Sequence, residues 1–242
     1  MTEWVYGYHA VLAVLAAGRR RVHRVAAVSP ERLPRSLVAQ AGKCRIDRIS
    51  PQELERHCPG AHPHDPIAQV DPYVYAEPVA IFKAATRTLL ALDQIQDPHN
   101  LGALLRSAYA LGVEGVLVSK DRSAEITPTV VRTSAGASEL LAVCRVAGLP
   151  QQLETIKRRG FWIVGADMDG VPLGECRLWS EPIVVVMGAE GEGLRQTTRK
   201  VCDQLVRIPI RGSAVVDSLN VSVAGGILLW EVARAKAALP LG

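Results

Sequence analysis

Hydrophobic residues in the later part of the chain fall into short runs of four to six, separated by longer amphipathic stretches. Such runs are typical of strands buried on both faces of a parallel sheet, and the stretches between them have helical apolar spacing. In chain order the pattern predicts strand 89–92, helix 101–111, strand 115–119, helix 127–136, strand 141–146, helix 151–159, strands 161–166 and 183–187, helix 194–201, strand 205–210 and helix 219–237. By itself, this alternation favours an open Rossmann-like α/β sheet with helices on both faces.

The first part of the chain has a less regular pattern. It predicts helix 8–17, strand 22–28, helix 31–41, strand 44–49 and helix 51–57. Three prolines and a glycine mark residues 59–66 as a loop. We therefore expect a small α/β domain at residues 1–75, a linker at 76–86 and a larger parallel-sheet domain at 87–242.

Composition limits the class of protein. The 242 residues, 48% of them apolar, suffice for one large domain or two modest ones. No apolar run approaches the ~20 residues that span a membrane, and the N-terminus lacks the features of a signal peptide, so we expect a cytoplasmic protein. The five cysteines form no Cys-x-x-Cys pair and are expected to be reduced, structural thiols.

The net charge of +4 matters less than its distribution. Residues 1–48 hold nine basic and three acidic side chains, a net of +6, whereas the rest holds 19 basic and 21 acidic ones, a net of −2. A basic front on a nearly neutral body indicates that the front binds a polyanion. A solvated, arginine-rich surface explains the run equally well, so the run alone does not identify a partner.

Three polar or glycine-rich segments follow predicted strands and precede predicted helices. They lie at residues 97–102, 188–194 and 218–222. Because the carboxyl ends of parallel strands meet at one edge of a sheet, these segments are expected to form one composite site.

Together the three segments resemble the SpoU class of the SPOUT superfamily of RNA methyltransferases. The matching motifs are Asn-x-Gly-x-x-x-Arg at Asn100, Gly102 and Arg106, Gly-x-Glu-x-x-Gly-Leu at 188–194, and Ile-Pro followed by Ser-Leu-Asn-Val-Ser at 208–209 and 218–222. Residues 6–11 are similar to the opening motif of a subgroup with an added RNA-binding domain, which methylates a guanosine of bacterial 23S rRNA. Residues 132–139 are similar to a further family segment near the site.

The resemblance implies a parallel-sheet domain with a deep trefoil knot, in place of an open sheet. It also implies transfer of a methyl group from S-adenosyl-L-methionine to a ribose 2′-hydroxyl of RNA, by a homodimer. Separately from the resemblance, the spacing of the candidate ligands leads us to expect no metal. The implied catalytic residues are Asn100, Arg106, Glu190, Ser218 and Asn220, and the implied cofactor contacts are the backbones of Gly188, Ile208 and Leu219. The candidate RNA-binding residues are the basic Arg19, Arg20, Arg21 and Arg24, and His64 in a loop where the subgroup has a histidine.

The residue types fit this chemistry. An acidic glycine-rich loop at 188–194 suits a positive sulfonium better than a phosphate, although an ordinary surface turn is the alternative. Arginine has a pKa above about 12, so we expect Arg106 to support a developing alkoxide rather than to act as the base. Asn100, Ser218 and Asn220 could instead be helix caps or turn residues.

Other features leave alternatives open. Residues 211–217 are about two residues longer than the usual family loop, which leaves the cofactor contact there and the role of Asp217 undecided. The His and Cys residues at 57–65 match no zinc spacing. The scarcity of aromatic residues disfavours stacking of RNA on a sheet face. Competing interpretations are a tRNA or antibiotic-resistance rRNA methyltransferase, a catalytically silent ribosome-assembly factor, and a nucleotide-dependent oxidoreductase. The sequence lacks the Gly-x-Gly-x-x-Gly turn that is typical of such oxidoreductases.

Overall fold

The structure is a computed structural model that describes residues 2–42, 44–82, 86–211 and 218–236. The described residues of 1–74 and 125–140 form one compact unit, called unit 1 below. Those of 75–124 and 141–242 form unit 2. The predicted long loop 211–217, apart from Arg211, lies outside the described residues, as do residues 83–85 of the predicted linker.

The helices and strands alternate along most of the chain. They are β1 (Glu3–Tyr6), α1 (Tyr8–Ala17), β2 (Val22–Ala27), α2 (Arg35–Ala41), β3 (Ile46–Arg48), α3 (Pro51–His57), β4 (Ile67–Val70), β5 (Thr88–Leu92), α4 (Pro98–Ala110), β6 (Gly115–Ser119), α5 (Pro128–Thr133), α6 (Ala137–Leu140), β7 (Ala142–Val146), α7 (Leu149–Lys157), β8 (Trp162–Pro172), β9 (Ile183–Met187), α8 (Gln196–Arg199), β10 (Gln204–Arg207) and α9 (Val221–Ala235). Short 3₁₀ helices lie at Pro30–Arg32, Pro78–Ile81 and Leu173–Glu175.

Unit 1 is built on a four-stranded sheet with the order β1-β4-β2-β3. β4 pairs antiparallel with β1 and β2, whereas β2 and β3 are parallel. The predicted elements of this region are present, but α2 begins later than predicted because Pro34 lies at its N-terminal boundary. The pattern missed β1 and β4, which have only four residues each.

Helices α5 and α6 belong to unit 1, although they follow β6 in the chain and lie inside the predicted second domain. Within unit 1, α5 contacts β1 and α6 contacts α1. The buried faces of these short helices include Val130, Val131 and Ala137. The chain therefore contributes a second, later segment to the unit that its first residues build.

Unit 2 is built on a six-stranded sheet with the order β10-β8-β9-β5-β6-β7. All its strand pairs are parallel, as the apolar runs predicted. Every residue of β5, β6 and β9 is buried, which explains why these strands are continuous apolar runs without alternation. Helices α4 and α9 pack against each other in this unit.

The described part of the predicted linker is an ordered edge of unit 2. The N–H of Ala76 donates to the carbonyl of Val143 at 2.8 Å. Ile81, at the end of a 3₁₀ helix, is 1% exposed and packs in the same core cluster as Leu89 and Cys144. Burial of a side chain of this size contributes about 1.5–3 kcal/mol, which helps to hold the segment on the unit.

Among the described residues, no helix is both long and apolar enough to cross a membrane. All five cysteines are free. Burial raises the pKa of Cys58 to about 12, that of Cys144 to about 11 and that of Cys202 to about 12, so these thiols stay protonated at neutral pH.

Candidate active site

Helix α4 begins just beyond the carboxyl end of β5, and Asp97 caps it. The carboxylate of Asp97 accepts a hydrogen bond from the N–H of His99 at 3.0 Å. Asn100, which the sequence offered as a possible cap, instead lies inside the first turn and is 7% exposed. Its buried amide therefore needs polar partners from elsewhere in the protein.

Those partners come from the other two motifs. The Nδ2 of Asn100 donates to Oε2 of Glu190 at 3.1 Å. The Nδ2 of Asn220 donates to Oδ1 of Asn100 at 2.9 Å. One hydrogen-bonded chain, Glu190–Asn100–Asn220, therefore joins residues from three segments that lie far apart in sequence.

Asn220 is also the N-cap of α9. Its Oδ1 accepts from the backbone N–H groups of Ser222, at 2.9 Å, and Val223, at 3.4 Å, and from the Ser222 hydroxyl at 2.6 Å. The capping interpretation of Asn220 and its place in the polar chain are thus compatible. One side of the amide caps the helix and the other side binds Asn100.

The acidic segment 188–194 is a tight turn closed on itself. Ala189 and Gly193 exchange two backbone hydrogen bonds, at 3.0 and 2.9 Å. A Cβ at Gly188 would lie 2.2 Å from the carbonyl carbon of Gly193, closer than any real contact. The sequence suggested that these glycines admit a ligand, but at Gly188 the space is occupied by the turn itself.

A cleft of about 720 Å³ opens beside this turn in unit 2. Six of the predicted site residues line it, namely Gly188, Glu190, Ile208, Ser218, Leu219 and Asn220. The volume is within the usual range of pockets that hold a ligand of nucleoside size. Asn100 does not line the cleft and reaches it only through its bonds to Glu190 and Asn220.

Another wall of the cleft was not predicted from the sequence. Leu205 and Val206 are neighbours in β10, but their partners in β8 are Gly165 and Val171. The residues of β8 between Gly165 and Val171 therefore bulge out of the sheet. Within this bulge, Asp167 lines the cleft together with Met168. Gly170 was the available signal, because a glycine inside a strand pattern often marks a bulge.

Arg199 holds this bulge and also lines the cleft. Its guanidinium lies 3.3 Å from Oδ2 of Asp167 and 2.9 Å from Oδ2 of Asp169. The hydrogen bond with Asp169 raises the pKa of Arg199. The carboxylates of the bulge are therefore partly neutralised within the protein.

A buried carboxylate, also missed, anchors the end of the acidic turn. Asp93 is fully buried directly after β5. It accepts hydrogen bonds from the backbone N–H of Arg195 at 3.2 Å and from its Nε at 2.8 Å. A charged residue at the end of an apolar strand was the signal, since such a group is buried only when it is paired.

Arg106 stands apart from this arrangement. It is exposed on α4, and no hydrogen bond or ion pair joins it to any residue that the structure describes. It lies six residues after Asn100, about 120° around the helix from it. The polar chain therefore does not include Arg106.

Two of the predicted RNA-binding arginines form ion pairs within unit 1. The side chain of Arg20 is 1% exposed and pairs with Glu3 and Glu139, so in this structure its guanidinium is engaged inside unit 1 and is not presented to an RNA ligand. Arg24 is partly exposed and pairs with Asp47 and Glu53.

The remaining predicted RNA-binding residues are all exposed. Arg19 donates to the carbonyl of Leu140 at 3.2 Å, whereas Arg21 has no ion pair among the described residues. His64 is also exposed, and its ring lies 5.2 Å from that of His62. Across the described ranges no cluster of three or more His, Cys, Asp or Glu side chains could hold a metal ion.

Comparison with known proteins shows which family the chain belongs to. A model of the SpoU rRNA methylase family matches residues 87–230, and a model of the RNA 2′-O ribose methyltransferase substrate-binding domain matches residues 4–76. The chain belongs to the SpoU family. It is 38% identical to a 23S rRNA (guanosine-2′-O-)-methyltransferase of Pseudomonas syringae over 98% of this chain and 97% of that one. It is 39% identical to the corresponding Pseudomonas aeruginosa protein over 99% and 100% of the two chains.

Solved structures of RNA methyltransferases share the fold. An RNA 2′-O ribose methyltransferase, 27% identical, has a TM-score of 0.82 over 98% of this chain and 89% of that chain. AviRb of Streptomyces viridochromogenes, in complex with AdoMet, is 24% identical and has a TM-score of 0.80 over 97% of this chain and 90% of that one. The SpoU methyltransferase fold expected from the three motifs is thereby confirmed.

Proposed function

We propose that this SpoU enzyme transfers the methyl group of S-adenosyl-L-methionine to the 2′-hydroxyl of a guanosine ribose in 23S rRNA. The observation that carries the proposal is the bond chain from Glu190 through Asn100 to Asn220, which joins all three family motifs beside one cleft. The choice of a guanosine in 23S rRNA as the substrate rests on the relatives, which are near 40% identical along almost the full chain.

The cleft fits the cofactor in size and charge. It holds about 720 Å³ and is lined by the carboxylates of Glu190, Glu192 and Asp167 and by two cations, Arg199, which pairs with Asp167, and Arg207, so that acidic side chains outnumber basic ones by one. An acidic lining favours a cationic ligand over a phosphorylated one. When bound, S-adenosyl-L-methionine supplies the methyl group on its sulfonium. In the proposal, the backbones of Gly188, Ile208 and Leu219 hold the adenosine part.

The polar side chains then act on the acceptor. The hydrogen bonds that link the side chains of Glu190, Asn100 and Asn220 fix the acidic turn relative to the start of α9, so that the ribose binds against preorganised groups. Exposed Arg106, free of internal partners among the described residues, is available to an RNA phosphate or to the oxygen that loses its proton. Ser218, exposed at the cleft, completes the proposed catalytic set.

The same proposal includes a homodimer and a cytoplasmic location. Packed helices α4 and α9 expose Tyr109, Val223 and Trp230 at 50%, 51% and 44%. Large apolar side chains left exposed on a helix pair are a feature of many interfaces, and in the proposal a second copy of the chain covers these. The predicted trefoil knot stays a prediction, since the path before α9 includes residues outside the described part of the chain.

Transfer of a labelled methyl group tests the function directly. The enzyme is incubated with tritiated S-adenosyl-L-methionine and, separately, with 23S rRNA and tRNA, and the modified nucleoside is identified by mass spectrometry. We expect 2′-O-methylguanosine in 23S rRNA only. If the protein bound 23S rRNA without transferring any labelled methyl group, the result would support an assembly factor. Transfer of the label to tRNA alone would overturn the assignment of rRNA as the substrate.

Replacement Arg106→Lys tests the role of the arginine. If Arg106 acts through positive charge, the lysine variant retains substantial methylation, whereas Arg106→Ala loses most of it. Nearly complete loss in both variants would show that the planar geometry of arginine is required. Equilibrium binding of the cofactor serves as the control, since Arg106 does not line the cleft and its replacement should leave this affinity unchanged.

A further inference from the structure

Unit 1 contains a second cleft, of about 380 Å³, whose lining lies entirely within the residues that match the substrate-binding family model. Three separate segments form it: the start of α1, the connection from the 3₁₀ helix Pro30–Arg32 to α2, and the loop before β4. Its lining includes Tyr8, Ser29, Arg32, Pro34, His64 and Pro66. The volume is near the lower end for small-ligand pockets, so it is suited to one nucleotide rather than to an RNA helix.

Several arginines among the first 48 residues form ion pairs within unit 1. The paired ones are Arg20, with Glu3 and Glu139; Arg24, with Asp47 and Glu53; Arg45, with Asp47; and Arg48, with Glu31. Arg32 and Arg35 are exposed, and neither forms an ion pair with a residue in the described ranges. Unpaired cationic charge is thus retained at the cleft, because Arg32 lines it and Arg35 begins the adjoining helix.

Flat side chains border the same cleft. Tyr8 and His64 contribute an aromatic and an imidazole ring, and Pro34 and Pro66 contribute apolar rings. Single-stranded RNA is recognised chiefly by stacking of unpaired bases on Tyr, His and Arg planes. The lining therefore combines stacking surfaces with an unpaired cation.

The walls of the cleft are held in place by hydrogen bonds. The Tyr8 hydroxyl and the Ser36 hydroxyl lie 2.8 Å apart, which ties the start of α1 to α2. The N–H of Gly7 donates to the carbonyl of Pro66 at 3.0 Å, which ties α1 to the loop before β4. Such a site needs little ordering when it binds, and this preserves affinity.

We propose that this cleft binds one unpaired nucleotide of the substrate RNA, with its base stacked against Tyr8 and His64 and its phosphate near Arg32. The inference rests on the proposed function to the extent that the ligand is RNA. It goes further by naming a recognition subsite in unit 1 for a base extruded from the folded RNA, in addition to the methyl-transfer cleft of unit 2.

Paired substitutions separate this subsite from general attraction to RNA. Dissociation constants are measured by filter binding with a 23S rRNA fragment that the wild-type enzyme methylates, or with whole 23S rRNA. Arg32→Ala should weaken binding about tenfold. Arg56→Ala removes another exposed arginine, on α3, that does not line the cleft, and should weaken binding less than about threefold.

Tyr8 tests stacking independently of charge. Tyr8→Ala should weaken RNA binding about tenfold, whereas Tyr8→Phe, which keeps the ring and loses only the bond to Ser36, should bind within about twofold of wild type. All variants should keep wild-type affinity for S-adenosyl-L-methionine. If Tyr8→Ala melts at a lower temperature than the wild type, its loss of RNA binding could reflect instability. The comparison of Arg32→Ala with Arg56→Ala then tests the proposal by itself.

Equal weakening by Arg32→Ala and Arg56→Ala would overturn the proposal, because it would show only diffuse electrostatic attraction. Equal losses in Tyr8→Ala and Tyr8→Phe would overturn the stacking role. Failure of the proposed function is a separate result: the wild-type enzyme would then transfer no methyl group, while the filter-binding comparison would still report on the cleft.

Discussion

Asn220 combines two tasks that one substitution can separate. Its Oδ1 caps α9 through the N–H groups of Ser222 and Val223, and its Nδ2 donates to Asn100. Asn220→Asp keeps an oxygen for the cap, and a carboxylate at a helix N-terminus is favourable by about 0.3–1 kcal/mol. The replacement removes the donor, however, and leaves a carboxylate facing the Asn100 oxygen.

The expected cost follows from the choices left to Asn100. If its amide rotates to donate to the new carboxylate, its oxygen turns toward Glu190 and the 3.1 Å bond to Glu190 is lost. A hydrogen bond to a charged group contributes about 1.5–3 kcal/mol, which corresponds to about 10- to 150-fold in rate if it is needed in the transition state. Asn220→Ala loses the cap as well, at about 1 kcal/mol more in stability.

Methyl transfer and thermal unfolding are measured together for both variants. Asn220→Asp should melt within about 3 °C of wild type and methylate at least about tenfold more slowly, whereas Asn220→Ala should show both losses. Ser222→Ala is the matched control, because the Ser222 hydroxyl binds the same oxygen but does not link the motifs. Wild-type activity in Asn220→Asp would refute the role of the polar chain, and equal destabilisation of the two variants would refute the capping argument.

Two further predictions concern the acidic turn and the end of α9. Gly188→Ala should weaken cofactor binding at least about tenfold by calorimetry, because the added Cβ would overlap Gly193. Gly191→Ala is the control: its Cβ would have no atom within 4 Å, so the replacement should cost only backbone strain at φ +80°. Similar cofactor affinities in the two variants would contradict this interpretation of the turn. Burial lowers the pKa of Lys236 to about 8, whereas a lysine in the unfolded chain has a pKa near about 10.4. Between these values the unfolded chain binds more protons than the folded one, so the stability of the wild type should rise, relative to that of Lys236→Met, from about pH 8 to about pH 10. Urea unfolding at about pH 7 and about pH 9.5 checks this, and parallel changes in the two proteins would exclude it.

Much of the unit 2 sheet could be predicted because its strands are buried on both faces. β6 and β9 have the predicted bounds, since each is an apolar run ended by polar or glycine residues. β1 and β4 were missed because each has four residues and no long apolar run. The bulge in β8 was missed because it depends on how β10 pairs with it, which no local pattern contains.

Charge was the least reliable guide. The excess of basic residues in residues 1–48 is correct as a count, but the side chains of Arg20 and Glu139 are each 1% exposed in one ion pair. The two residues are 119 positions apart in the chain, so sequence proximity could not reveal this pair. The unpaired cations, such as Arg32, can be recognised only after the internal pairs are identified.

Local spacing and short motifs were enough to establish the alternating α/β pattern, the family and the residue types at the site. The folded chain was needed to show that Asn100 binds Glu190 and Asn220, that residues 125–140 join unit 1, and that Asp93 anchors Arg195. The physical reason is that hydrogen bonds and ion pairs act over a few ångströms, whereas their partners here are 90 or more residues apart.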